Sequence, residues 1–395
     1  MWRNRNRTFI AMASIFFAVL LSVVTRSLQK GVFDNLVKNV VSFYSGYLQI
    51  HRNGYWDERI LDNTFRESGE LERKVRSVPH IADLTPRLES FALVSSEDLT
   101  KGCMVVGISP SREDAITHLA DKVFEGRYLS EGDAGLLVGK GLVERLHAHV
   151  GDTIVLLGQG YHGATAVGKY PIQGLLKFGS PELNDQALFL TLREAQNLYS
   201  ADSMLTSYVL ALDDPVELHK ASASLKAAVD STLEVMTWEE MMPVIEQGMK
   251  TDQGSLYIIL AILYVLVSLG ILSTVLMMMV ERKYEMGMLI AIGMKRAKLI
   301  QLVMVESVVT VLTGCALGLV ASFPVVYWLY THPIRLSGEM GEMYEQYGFE
   351  PVFPATLDPT IFLNQGLIVL IVGLLLSLYP VVRIVRLDPV LAMRK

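Results

Sequence analysis

The sequence predicts an α+β membrane protein with four transmembrane helices and a large extracytoplasmic mixed α/β domain between helices 1 and 2. Three observations carry this expectation. Of 395 residues, 51% are apolar and only 19% are charged, against roughly a quarter charged in soluble domains. The apolar residues gather in four runs, Phe9–Val24, Ser255–Val280, Leu299–Tyr330 and Ile361–Val382. About 20 apolar residues cross a bilayer, so the last three runs pass and the first is borderline. Finally, Lys and Arg alternate in register with the runs. The same numbers exclude a disordered chain, a nucleic-acid binder (net charge −6) and a disulfide scaffold (two cysteines).

Residues 1–25 read as a cytoplasmic N-terminus and the first helix. An Arg-rich start before a short apolar stretch also describes a signal peptide, but Thr25-Arg-Ser-Leu-Gln-Lys30 offers no A-x-A cleavage site, so the run reads as a retained signal anchor. The N-terminal Arg3, Arg5 and Arg7, the segment 281–298 and the tail each carry a net +3, whereas residues 26–254 carry −10 and residues 331–360 carry −4. Basic residues stay on the cytoplasmic side, which predicts an inner-membrane protein with both termini inside and the insert outside.

Residues 26–254 form that insert. Phe33, Leu36, Val37, Val40, Val41 and Tyr44 repeat at helical spacing, as in a stalk that continues the first helix and packs on the domain rather than on the membrane surface. Phe91–Ser95 and Cys103–Ile108 read as paired strands around the turn 96–102. Gly135–Val138 and Thr153–Leu157 read as strands, with a short helix Lys140–Leu146 between them. Capping boxes at Thr191…Glu194, Asp214…Glu217 (with Pro215 at N1) and Thr237…Glu240 follow strands Ala187–Leu190, Ser207–Leu212 and Glu234–Met236. The helix begun at Thr237 can run through Gly248 and Gly254 towards the second crossing. Cys103 in this domain and Cys315 in the third run differ too much in depth to pair, and Cys103 reads as a small buried apolar residue.

Chemistry-bearing motifs are few. Gly135-Leu-Leu-Val-Gly-Lys-Gly141 is one residue short of a P-loop and lacks the hydroxyl that would hold magnesium. His147 and His149 read as a solvated pair rather than a zinc site. No catalytic residue and no metal ligand is expected.

The membrane half carries more. Residues 255–280 are the second helix. The segment 281–298 alternates charge around a compact apolar block ending at Gly293, too short to span. It suits an interfacial helix, one docked in a partner's groove, or a plain turn on lipid headgroups. In the third helix, 299–330, Glu306 lies seven residues past Leu299, about 10 Å along the axis at 1.5 Å per residue. An intramembrane carboxylate is a functional candidate; with no second acid in any run to form a relay, fixing the register of a neighbouring helix is favoured over proton or ion translocation. Gly314 and Gly318 form a GxxxG that permits close helix approach, within the chain or across a dimer, and Pro324 is expected to kink the outer end. The loop 331–360 is Pro-rich over Phe349–Pro359, and residues 361–395 are the fourth helix and the tail.

The block Glu281–Ser307 resembles the hallmark of permease subunits of the FtsX, MacB and lipoprotein-releasing (LolC/LolE-like) group of ABC transporters, E-R-x-x-E-I-G-x-L-x-A-I-G followed by a Glu-Ser. Glu281, Arg282, Glu285, Gly287, Leu289, Ala291, Ile292, Gly293 and Glu306 match; Met286 replaces the commoner aliphatic residue. Leu387-Asp-Pro-Val-Leu-Ala-Met-Arg394 resembles the closing P-x-x-A-L-R, with Met393 for Leu. Phe124–Leu129 and Gly151–Ile154 resemble turns of the MacB-like periplasmic core domain. The resemblance implies a non-catalytic subunit whose ATP and magnesium are bound by a separate cytoplasmic ABC ATPase, docked on Glu281–Gly293 including Met286. It implies a second permease subunit, identical or paralogous. MacB-type chains usually carry the ATPase at their own N-terminus, so the resemblance leans towards the lipoprotein-releasing permeases. Its expected role is to extract lipoproteins or another membrane lipid cargo for the outer membrane, with a possible periplasmic lipoprotein chaperone as a further partner. The alternatives are MacB-like efflux and FtsX-like mechanotransmission that regulates a periplasmic enzyme; a membrane-bound enzyme finds no site.

Overall fold

The computed structural model describes residues 5–96, 99–339, 341 and 351–386. Arg3, part of the 96–102 turn, Glu342, Glu345, Glu350, and the tail from Leu387 with its Leu387–Arg394 motif lie outside the described residues. The chain divides into two compact units. Residues 1–34, 248–335 and 352–395 form one, and residues 35–247 with 336–351 form the other.

The first helix, α1, runs from Arg5 to Val40 without interruption and ends in a π turn, Val41–Ser45. The apolar run and the predicted stalk are therefore a single helix.

The α/β unit is built on ten strands: β1 (Leu48–Arg52), β2 (Ile81–Ser96), β3 (Leu99–Ile108), β4 (Val123–Gly126), β5 (Leu136–Gly139), β6 (Thr153–Gln159), β7 (Thr165–Leu176), β8 (Ala187–Thr191), β9 (Ser207–Leu212) and β10 (Leu233–Thr237). Six of them close a circuit of pairings, β2–β3–β8–β5–β7–β6 and back to β2. Residues alternating along these strands, among them Val94, Val105, Leu156, Ile172, Val138 and Leu188, are buried in one apolar core. The β2–β3 hairpin pairs from Arg87↔Ile108 to Ser96↔Leu99. β2 itself starts earlier, at Ile81, because its first residues up to Arg87 pair with the distant β9, a partner that local sequence does not announce.

The helices of this unit include α2 (Pro110–Thr117), α3 (Lys140–Leu146), α4 (Leu192–Tyr199), α5 (Leu218–Ala228) and α6 (Trp238–Met241). The expected capping chemistry holds fully at one place. Thr237 accepts from the Glu240 amide while Glu240 accepts from the Thr237 amide. At the second place the details differ: Asp214 accepts from the Val216 amide, and the first turn, Pro215–Glu217, is 3₁₀, closed by the Glu217 amide on the Asp214 carbonyl at 3.1 Å. At the third, Thr191 stands at the N-cap but its side chain caps nothing; its hydroxyl instead donates to the Asp133 carbonyl. The helix begun at Thr237 also stops early. It ends at Met241, and a new helix starts at Pro243, as expected where a proline disfavours helical geometry in the residue before it.

Among the described residues, four helices are long and apolar enough to cross a membrane, over Phe9–Lys38, Pro243–Glu281, Arg296–Thr331 and Pro359–Val385. We number those after α6 as α7 (Pro243–Glu281), α8 (Lys283–Ala291), α9 (Arg296–Thr331), α10 (Pro359–Ser377) and α11 (Tyr379–Val385). α9 continues through Pro324 as one helix. Ile15 and Val19 of α1, Ile271 of α7, Val311 and Cys315 of α9 and Val369 of α10 share the core of this unit.

Candidate functional site

The segment between α7 and α9 folds as predicted for a short non-spanning helix. Arg282 is the one residue separating α7 from α8, and the turn back into α9 contains Gly293 at φ +104°, a conformation that costs little only for glycine. α8 has two unlike faces. Met286 and Gly287 are buried, and Met286 packs with Met279, Leu299, Val303 and Ile384, with Leu289 and Ile290 half-buried against them. On the opposite side Tyr284, Met288 and Ile292 are 56%, 40% and 77% exposed. Their i, i+4, i+8 spacing makes one stripe, with Glu281, Lys283, Ala291, Lys295, Arg296 and Lys298 also exposed.

Two expected site residues are turned towards one another. Arg282 Nη1 donates to Glu306 Oε2 at 2.7 Å. Arg282 is thus engaged by α9 and does not belong to an outer charged rim beside Glu281 and Glu285, while Glu306 finds its partner at the start of α8 rather than inside another spanning helix. Sequence spacing alone cannot say that two residues 24 apart, one in the turn between α7 and α8 and one on α9, face each other.

The GxxxG glycines act within the chain. A Cβ built at Gly314 would lie 2.9 Å from Ile15 Cβ, and one at Gly318 would lie 2.8 Å from Val19 Cβ and 2.9 Å from the Phe16 carbonyl oxygen. Only a residue without a side chain allows α9 to approach α1 so closely. At the other end of α1, Lys30 pairs with Asp358 and the Ser27 hydroxyl donates to the Thr356 carbonyl. Asp358 also caps α10 by accepting from the Thr360 amide at 2.8 Å. This tie was not read from the sequence, and no local signal marks it.

In the α/β unit, the space beside Gly139 and Gly141 is taken by Asn184 and Asp185, and Asp185 pairs with Arg145. An acid therefore stands where a phosphate would have to lie. His147 ends α3 at φ +50°, and the exposed His149 sits 3.7 Å from Asp152. Among the described residues no group of three potential ligands could hold a metal. Cys103 and Cys315 are both free and buried, and burial pushes the Cys103 thiol up to about 12. Arg87 and Glu113, the most deeply buried charges among the described residues, carry no local sequence signal.

Among the described residues, four apolar helices, a mixed α/β domain between the first two and a short two-faced helix between the second and third define a class of multi-pass membrane protein. The family model of the MacB-like periplasmic core domain matches residues 8–228, and that of the FtsX-like permease C-terminal region matches residues 257–389. The chain belongs to the family these models describe, permeases with a MacB-like periplasmic core domain and an FtsX-like C-terminal region, and relatives named LolC, LolE and MacB are similar to it. It is 24% identical to the lipoprotein-releasing system transmembrane protein LolC of Neisseria meningitidis over 79% of this chain and 75% of that one. It is 23% identical to LolE of Haemophilus influenzae over 81% and 79%. It is 19% identical to the macrolide export ATP-binding/permease protein MacB of Bartonella quintana over 92% and 58%. The periplasmic region of MacB from Actinobacillus actinomycetemcomitans matches 53% of this chain and 97% of its own length, with 15% identity and a TM-score of 0.37.

Proposed function

We propose that the chain transmits the ATP-driven motion of a separate cytoplasmic ATPase to its periplasmic domain, and that the work done is extraction of lipoproteins from the inner membrane for transfer to the outer membrane. The observation that carries the coupling is the exposed stripe Tyr284, Met288 and Ile292 on a helix whose other face is buried. An apolar stripe with a charged surround is how a short helix docks in a groove. The cargo follows the relatives named as lipoprotein-releasing proteins. In this reading ATP and magnesium sit on the partner, both termini are cytoplasmic, and a second permease subunit, identical or paralogous, completes the complex. A periplasmic lipoprotein chaperone receives the cargo.

The test is co-purification from membranes. Ile292→Asp places an unpaired carboxylate in the contact, which costs several kcal/mol and reduces ATPase recovery by orders of magnitude. Equal recovery with Ile292→Asp and with wild type overturns the docking. Triacylated lipoprotein in the wild-type complex supports release; a cell-wall hydrolase in its place would make the chain a transmitter without cargo.

A further inference from the structure

α8 is joined to α9 in two ways. The first is the cluster around Met286, with Leu299 and Val303 on the facing turns of α9. Such packing is non-directional, since burying the same apolar area at a slightly different roll of α8 gains nearly the same free energy. The second is the Arg282–Glu306 pair, at 2.7 Å and with both side chains mostly shielded. It has a single register. A carboxylate nearly three turns into a spanning helix is costly unless paired, and a well-packed apolar pair of the same volume is commonly as stable or more so. Stability alone therefore gives no reason for two charges here. Fixing one position of α8 against α9 does.

We propose that Arg282 and Glu306 are a positioning pair that makes α8 and the cytoplasmic end of α9 move as one body. Displacement of the exposed stripe then reaches α9 as a shift along its axis instead of being lost as rolling of α8. From α9 it passes to α1 through the close approach at Gly314 and Gly318. This rests on the reading of α8 as the ATPase-facing segment.

Hydrogen exchange on the purified complex of the chain with its ATPase tests the idea without needing the cargo. In wild type, ATP with vanadate should change exchange in α8 and in the first two turns of α9 together. Without nucleotide, Glu306→Gln should speed exchange over residues 283–291 about tenfold. The apolar pair Arg282→Met with Glu306→Leu should assemble and melt as wild type does, yet leave α9 unresponsive when α8 responds. Arg282→Lys, which keeps the charge, should keep the joint response. A joint response in the apolar pair overturns the proposal, because packing would then suffice. If wild type shows no nucleotide response at all, the ATPase reading fails instead. The nucleotide-free arm then decides the pair, with unchanged protection in Glu306→Gln counting against it.

Discussion

Arg87 and Glu113 hold each other at two points inside the α/β domain, Nε to Oε2 at 3.1 Å and Nη2 to Oε1 at 2.5 Å, with neither side chain reaching solvent. The Tyr44 ring, in the π turn that ends α1, lies 4.6 Å from the guanidinium carbon, and Thr117 donates to Glu113 Oε1 at 3.1 Å. Burial works to lower the Arg87 pKa, but Glu113 and Glu89 overcome it and hold the guanidinium above its ordinary value. The end of α1 is thus packed on a buried cation that α2 neutralises.

Breaking that pair should be costly. Glu113→Ala removes the bidentate partner and leaves the buried guanidinium only the longer contact to Glu89, 3.5 Å from Nη1, and breaking a buried pair in this way costs about 3–5 kcal/mol. Replacing both members, Arg87→Met with Glu113→Leu, should cost far less. Denaturant midpoints of the detergent-solubilised full chain distinguish the two. Equal losses would mean that the pair's geometry, rather than the orphaned charge, sets the stability.

The α1–α9 contact predicts a size limit at Gly318. Because a Cβ there already meets Val19 Cβ at 2.8 Å, Gly318→Leu must push the helices apart, and overpacking of this kind costs about 1–3 kcal/mol. Thermal unfolding in detergent should show the loss, with Gly318→Ala intermediate. A variant as stable as wild type would place this contact outside the rigid core.

The tie at the outer end of α1 predicts a pH dependence. Hydrogen bonds from Lys30 and then Thr360 lower the Asp358 carboxyl from 3.8 to about 2. A carboxyl whose folded value is depressed stabilises the fold above its unfolded value, and the stabilisation is lost as pH falls through the folded one. The contribution should be whole above pH 4 and disappear between about 3.8 and 2. Asp358→Asn should flatten that part of the stability curve, and melting curves taken at stepped pH values would show it.

Sidedness can be read by cysteine labelling with a membrane-impermeant reagent. Cys103 and Cys315 are buried and leave a low background. A cysteine at the exposed Val216 should label from outside intact spheroplasts, and one at the exposed Lys295 only after the membrane is opened. The reverse pattern would invert the topology.

What the sequence made legible is what local chemistry decides. The helix Lys140–Leu146, the strand Ser207–Leu212 and the Thr237 capping box stand where spacing puts them. So do the spanning helices, since hydropathy over about 20 residues needs no partner. The unread features all depend on a partner far along the chain. Arg87 and Glu113 are 26 residues apart, Arg282 and Glu306 24, Lys30 and Asp358 328. Periodicity names the face of α8 that is apolar without saying which apolar residues turn inward, so Leu289 and Ile292 looked alike although one is half-buried and the other bare.

The closed circuit of six strands also governs where foreign backbone can attach. Where a strand of it is flanked on both sides, its amides and carbonyls are committed to neighbours and offer no template for another chain; Leu99–Cys103 of β3, paired only with β2, are not so flanked. Among the strands of this sheet, β10 pairs only with β1 and β4 only with β7. Growth of the sheet, whether by a partner's strand or by self-association during overexpression, is therefore directed first to these two strands, short borders of five and four residues that pair on one side along their whole length. A charge placed at Met236, on the longer border, should suppress such polymerisation without touching the enclosed core.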